Sequence, residues 1–73
     1  MQNISILGCG WLGLALGESL VKKGYFVKGS VTNKDSFEDL LQKKVQPYQL
    51  ILNPQIQGDS IDDFFDSNTL IIC

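Results

Sequence analysis

The sequence contains no histidine and no arginine, only two cysteines, and no long apolar run. Without histidine, the commonest metal ligand and general base is missing. The lack of arginine and a formal net charge of −2 disfavour a nucleic-acid partner. Two cysteines are too few for a disulfide framework, and no stretch reaches the ~20 apolar residues of a membrane span. These absences predict a cytoplasmic protein with free thiols and with neither a nucleic-acid nor a membrane partner.

The chain has 73 residues, of which 44% are hydrophobic and 19% are charged. This composition is typical of a folded chain rather than a disordered one. Typical domains hold ~100–150 residues, so the length allows one small domain over residues 1–73. Because a chain near this length buries only ~60% of its unfolded surface, we expect a marginal core.

Segments with the pattern of strands alternate with segments of helical period. Strands are predicted over residues 3–8, 25–31, 48–52 and 69–73. Helices are predicted over 11–23, about 36–44, and a short stretch that Asp59 or Ser60 can cap. Asp35 is the predicted cap of the second helix, Pro47 the predicted turn after it, and 55–58 a loop. The order β-α-β-α-β-α-β predicts an α/β fold, a Rossmann-like parallel sheet covered by helices.

A Gly-x-Gly-x-x-Gly motif joins the first predicted strand to the first helix. Gly8 allows the tight turn, Gly10 lets a pyrophosphate approach the backbone, and Gly13 lets the helix pack closely on the strand. The N–H groups around Trp11 and Leu12 begin the helix, where the helix dipole favours an anion. The motif, together with the strand and helix that flank it, predicts a dinucleotide site.

The end of the second strand indicates which dinucleotide is bound. A site that selects NAD usually has Asp or Glu there to bind the ribose 2′-hydroxyl, and none of residues 30–33 is acidic. The hydroxyls of Ser30 and Thr32 and the ammonium of Lys34 favour NADP, with NAD as the alternative. The preference is mild because no arginine is available to bind the 2′-phosphate.

The residues at both places resemble a known family. Residues 6–13 (Ile-Leu-Gly-Cys-Gly-Trp-Leu-Gly) and 29–32 (Gly-Ser-Val-Thr) resemble the N-terminus of the NAD(P)-dependent epimerase/dehydratase-like proteins, atypical extended members of the short-chain dehydrogenase/reductase superfamily. The resemblance covers nearly the whole chain. It implies the N-terminal half of a doubly wound NAD(P)-binding fold, with the pyrophosphate near Gly8, Gly10, Trp11, Leu12 and Gly13 and the adenosine ribose near Ser30, Thr32 and Lys34.

The catalytic pair of that superfamily, Tyr-x-x-x-Lys, is not found here, since neither Tyr25 nor Tyr48 has a lysine four residues later. We therefore expect the N-terminal part of a longer protein, a truncated product or an isolated fragment without the catalytic region. The expected function is dinucleotide binding within an oxidoreductase, epimerase or dehydratase whose small-molecule substrate the residues do not identify. The alternatives are a reductase of the pyrroline-carboxylate or 6-phosphogluconate dehydrogenase type, a non-catalytic NADP-binding module, and a non-functional remnant.

Three further features carry expectations of their own. Trp11 is expected either to wall the cofactor pocket or to pack across the end of the sheet. The acidic residues over 59–66 lack the ligand spacing of a calcium loop, which favours a solvated helix face over a metal site. A parallel sheet whose last strand has no covering helix leaves an apolar face and an open edge, which predicts self-association through that strand.

Overall fold

A computed structural model of the chain describes residues 2–8, 10–52, 56–58 and 60–73. A short 3₁₀ helix, Lys34–Ser36, precedes the second α-helix. The elements of the described part are, in chain order, β1 (Asn3–Leu7), α1 (Trp11–Lys22), β2 (Phe26–Val31), α2 (Phe37–Gln42), β3 (Gln46–Leu52), β4 (Ile56–Gly58), α3 (Ile61–Phe65) and β5 (Thr69–Ile72).

The strands form one sheet in the order β4-β3-β2-β1-β5. β1 pairs in parallel with both β2 and β5, and β2 pairs in parallel with β3. Four parallel strands that alternate with helices confirm the predicted α/β, Rossmann-like class. The parallel strands lie in the spatial order third, second, first, fourth, which is the order that begins a doubly wound fold.

One face of the sheet packs against α1 and α2. Side chains alternate between the two faces of a strand, so Ile4 and Ile6 of β1 lie on this face with Val27 of β2. They form a buried cluster with Leu40 and Val45, and leucines of α1 pack against it. This cluster holds most of the buried aliphatic side chains among the described residues, and it fixes α1 over β1 and β2.

The opposite face packs against α3. Tyr48 and Leu50 of β3 form a second cluster with Phe64, whose ring lies 5.4 Å from the Tyr48 ring in an edge-to-face arrangement. Such aromatic pairs stabilise by about 0.5–1.5 kcal/mol beyond the area that they bury. This face also buries Ser5, Lys28 and Ser30. The side chains of Ser5 and Lys28 donate to backbone carbonyl oxygens of α3 and its C-terminal end.

The segment predicted as a loop at 55–58 contains a strand, so this prediction was wrong where it can be compared. Ile56–Gly58 forms β4, which runs antiparallel to the end of β3, with Gly58 opposite Leu50. A Cβ on Gly58 would lie 1.9 Å from the carbonyl oxygen of Gln49, so only glycine fits there. Residue 55 and Asp59, one of the two predicted caps of α3, lie outside the described residues.

The second helix also differs from the prediction. It begins as the 3₁₀ helix and continues as α2 to Gln42, and Asn33 rather than Asp35 caps it: the Asn33 side chain accepts a hydrogen bond of 2.9 Å from the Asp35 N–H. Pro47 lies within β3 opposite Gly29 instead of in a turn. β4 pairs only with the end of β3, so the edge of β3 away from β2 is open at Pro47, and an open edge tolerates proline.

β5 is at one end of the strand order and is the least covered strand of the parallel sheet. The side chains of Leu70 and Ile72 are exposed, Ile72 at 73%. The expected self-association through this strand stays a prediction. Among the described residues, no helix is long and apolar enough to cross a membrane.

Candidate functional site

The turn between β1 and α1 has the backbone geometry that its glycines predict. Gly8 has a φ of +82°, in the left-handed region that favours glycine. Its carbonyl oxygen accepts a hydrogen bond of 2.9 Å from the Gly10 N–H. A Cβ on Gly8 would also lie 3.1 Å from the carbonyl oxygen of Cys73, at the end of β5. The turn is therefore tight, and it is enclosed by the next strand.

Gly13 brings α1 close to this turn. A Cβ on Gly13 would lie 3.1 Å from the Gly8 carbonyl oxygen and 3.4 Å from a methyl carbon of Ile6. Gly17, one turn further along α1, continues this contact, since its Cβ would lie 3.1 Å from a methyl carbon of Val45. The predicted close packing of helix on strand is confirmed at Gly13, and Gly17 extends it, since its Cβ would also lie 3.5 Å from a methyl carbon of Ile6.

Gly10, by contrast, borders open space. A Cβ there would meet no atom within 4 Å. Gly10 is the N-cap of α1, so no N-cap side chain accepts a hydrogen bond from the first N–H groups of the helix. The first turn of α1 contains no acidic residue. The first N–H groups of an α-helix have no partner within the helix, and the helix dipole is positive at this end. The start of α1 thus combines open space with a local preference for an anion.

A cavity of about 510 Å³ lies beside this turn. It is bounded by the carboxyl ends of all four parallel strands, which is where open α/β sheets bind their ligands. No residue of its described lining carries a charged side chain. The lining consists of Leu7, Gly8, Gly10, Ser30, Val31, Thr32, Ser36, Leu50, Ile51, Ile72 and Cys73.

The residues predicted near the ribose occupy three different environments. Ser30 lines the cavity, but it is only 2% exposed, and its Oγ accepts a hydrogen bond of 2.8 Å from the Gly8 N–H. Thr32 is exposed at the cavity, and its carbonyl oxygen accepts a bond from the Gln49 side chain. Lys34 is exposed in the 3₁₀ helix and is not part of the lining. Ser36 does line the cavity, and sequence analysis did not select it.

Trp11 and Leu12 are the first two residues of α1, and neither is part of the lining of the 510 Å³ cavity. Trp11 is 97% exposed, so it does not pack across the end of the sheet. It instead borders a neighbouring cavity of about 560 Å³ between α1 and α2. Gly10 and Ser36 line both cavities, which are therefore adjacent.

A polar cluster beneath α3 is the feature that sequence analysis missed. The Ser5 hydroxyl donates to the carbonyl oxygen of Phe64, and the ammonium of buried Lys28 donates to the carbonyl oxygens of Asp63 and Asp66. The Tyr48 hydroxyl donates to the carboxylate of Asp63. Burial, then the hydrogen bond to Asp63 and its charge, raise the pKa of Tyr48 to about 12. Only the strand register, which no local pattern reveals, brings these residues together.

The described acidic residues just before β5 lie in α3 and at its C-terminal end. Within the described part of the chain, no group of three or more His, Cys, Asp or Glu residues is arranged to hold a metal ion. Asp63 is engaged by Tyr48, and Asp62 is exposed at the start of α3.

Comparison with known proteins finds two curated relatives and a solved structure of similar fold. No family model matches the chain. Protein YeeZ of Escherichia coli, in strain K12 and in O157:H7, is 34% identical over 74 residues, which cover 99% of this chain and 27% of YeeZ. The chain therefore spans about a quarter of the length of these curated relatives.

A solved structure supports the fold. A functionally unknown conserved protein from Silicibacter pomeroyi DSS superposes with a TM-score of 0.71 and 22% sequence identity. The match covers all of this chain and 24% of that one. The chain thus has the same fold as one segment, about a quarter, of a larger protein.

Proposed function

We propose that this chain binds a dinucleotide cofactor, NADP in preference to NAD, as the cofactor-binding part of an oxidoreductase, epimerase or dehydratase. The observation that carries the proposal is the cavity at the carboxyl ends of the parallel strands, which has the glycine turn and the uncapped start of α1 on its border. Its volume lies within the ~300–1,000 Å³ that is typical of small-molecule sites.

The pyrophosphate would lie against Gly10 and the first turn of α1. Open space at Gly10 allows a phosphate to reach the backbone, and the N–H groups of Trp11 and Leu12 are available at the helix start. No acidic side chain in the first turn of α1 would repel it. The fixed glycine turn holds these groups in place before a ligand arrives.

The lining of the cavity supports the preference for NADP. A carboxylate that binds the ribose 2′-hydroxyl would repel a 2′-phosphate, and no carboxylate is present among the described lining residues. The Thr32 and Ser36 hydroxyls border the same cavity and can donate to phosphate oxygens. Lys34 belongs to the same 3₁₀ helix as Ser36, and its positive charge would favour a phosphate in this region.

The Tyr-x-x-x-Lys pair that the resemblance implies for catalysis is not among these residues, so what is proposed for them is binding alone. A nicotinamide cofactor supplies hydride transfer when it is bound, and the protein supplies binding and orientation. The resemblance to the epimerase/dehydratase-like family supports this assignment, and a reductase of the pyrroline-carboxylate or 6-phosphogluconate dehydrogenase type would use the same β-α-β start. A non-catalytic NADP-binding module is the candidate from a different class. A cytoplasmic location fits the free thiol of Cys73.

Calorimetric titration of the chain with NADPH and, separately, NADH tests the proposal. We expect saturable binding of both, with the lower Kd for NADPH, which differs from NADH only by its 2′-phosphate. No binding of either at millimolar concentration would overturn the dinucleotide proposal. Tighter binding of NADH than of NADPH would overturn only the preference for NADP.

A further inference from the structure

We propose that Ser30 is a positioning residue, which holds the glycine turn in its binding geometry instead of contacting the ribose. The inference rests on the proposed dinucleotide site and deepens it. It reassigns the residue at the end of β2 whose hydroxyl first suggested a ribose contact. The group that it acts on is the N–H of Gly8.

The hydrogen bond between these residues joins two strands at the point where their ladder ends. The paired residues of β1 and β2 run from Asn3 opposite Phe26 to Ile6 opposite Gly29. Gly8 lies two residues further along, and its N–H donates to the Ser30 Oγ at 2.8 Å. The Gly8 N–H is therefore bound by a side-chain oxygen, where N–H groups within the ladder are bound by backbone carbonyls. Because Ser30 is only 2% exposed, the oxygen is held in one position by its surroundings.

Gly8 is fixed by contacts on three of its groups. Its N–H donates to Ser30 Oγ, its carbonyl oxygen accepts from the Gly10 N–H, and a Cβ built on its Cα would lie 3.1 Å from the carbonyl oxygen of Cys73. The second and third contacts come from the turn itself and from the neighbouring strand end. The Ser30 bond is the side-chain contact that sets where the turn leaves β1, and thus where α1 begins.

The position of this turn decides where the phosphate-binding groups lie. If the Gly8 N–H is released, the left-handed conformation of Gly8 is less restrained and the groups at Gly10 and the start of α1 can move. A ligand must then order them when it binds, which lowers its affinity. A serine that holds the turn raises affinity without touching the ligand.

Ser5 provides a matched control on the adjacent strand. It is fully buried, lies on the same face of the sheet, and its hydroxyl makes one hydrogen bond, to the carbonyl oxygen of Phe64 in α3. Ser5→Ala removes a buried hydroxyl just as Ser30→Ala does, but its partner is in α3 and not in the glycine turn. Any effect on binding that comes only from a weakened fold should appear in both variants.

The test measures the Kd of NADPH by calorimetry and the amide hydrogen exchange of Gly8 by NMR, in wild type, Ser30→Ala and Ser5→Ala. We expect Ser30→Ala to bind NADPH about tenfold more weakly and to exchange the Gly8 amide faster in the absence of ligand. Ser5→Ala should match wild type in both measurements. Wild-type affinity in Ser30→Ala, or equal weakening in Ser5→Ala, would overturn the proposal.

The exchange measurement separates this proposal from a direct contact between Ser30 and the ribose, and from a failure of the proposed function. If Ser30 contacted the ribose directly, Ser30→Ala would weaken binding and leave Gly8 exchange in the free protein unchanged, which would also overturn it. If wild type binds no dinucleotide, the proposed function fails, and the exchange rates still show whether Ser30 holds the turn. Should Ser30→Ala not fold, a Gly8 amide in wild type that exchanges like an unprotected one contradicts the proposal, and a protected one supports it.

Discussion

The ammonium nitrogen of Lys28 lies 2.9 Å from the carbonyl oxygen of Asp66, the residue that ends α3. Lys28 comes from β2 and is only 5% exposed. It also donates to the carbonyl oxygen of Asp63 in the last turn of the helix. Carbonyl groups at the end of a helix have no partner within it and carry the negative end of its dipole. A buried cation therefore binds the end of α3 to the middle of the sheet.

Lys28→Met should lower the free energy of unfolding by about 2 kcal/mol, because it removes hydrogen bonds from a charged donor and keeps the apolar stem. Urea unfolding followed by circular dichroism measures the change. Lys43→Met is the matched control: Lys43 is exposed and pairs with Glu18 at 3.2 Å, so its loss should change stability by less than about 0.5 kcal/mol. A Lys28→Met protein as stable as wild type would show that desolvation of the lysine offsets its bonds.

The sequence was sufficient to predict the sheet and the glycine turn because both depend on local patterns. Apolar residues at Ile4 and Ile6 and the spacing of the three motif glycines indicate a strand, a turn and a helix without knowledge of distant contacts. Lys28 could not be placed in this way. Its role depends on carbonyl groups 35 and 38 positions away, which only the crossover of α3 brings above β2.

The remaining differences also arise from contacts that local patterns do not contain. β4 has only three residues, and its pairing with β3 determines it more than its own sequence does. Ser30 was correctly placed at the end of β2, but its bond to Gly8 spans 22 residues and depends on register. Asn33 and Asp35 are both residue types that cap helices. Because the second helix begins as the 3₁₀ helix Lys34–Ser36, Asp35 lies inside it and Asn33 is the cap.

The raised pKa of Tyr48 predicts a loss of stability at alkaline pH. The unfolded chain releases this proton near pH 10, whereas the folded chain holds it until about pH 12. The contribution is therefore fully present below pH 10 and is lost as the pH rises from 10 to 12, up to about 2–3 kcal/mol. Urea unfolding of wild type at pH 9, 10, 11 and 12 should show this fall.

Two tyrosine variants isolate that contribution from the effect of alkaline pH on the rest of the chain, which is common to all the proteins. Tyr48→Phe has no phenol to titrate at this position, so its stability should fall less steeply between pH 10 and 12 than that of wild type. Tyr25→Phe leaves Tyr48 and its bond to Asp63 in place and should keep the wild-type slope. Identical slopes in wild type and Tyr48→Phe would contradict the prediction.

Alanine substitutions at Gly10 and Gly13 should have different effects, the first on NADPH binding and the second on the free energy of unfolding. Gly10→Ala adds a methyl group in open space, so stability should change by less than about 1 kcal/mol, while NADPH binds at least about tenfold more weakly because the methyl occupies the approach to the backbone. Gly13→Ala places its methyl 3.1 Å from the Gly8 carbonyl oxygen, which must move, so unfolding should become easier by about 1–2 kcal/mol despite a better helix former. Calorimetry and urea unfolding of both variants measure the two effects. Unimpaired NADPH binding by a folded Gly10→Ala protein would place the pyrophosphate somewhere other than at this turn.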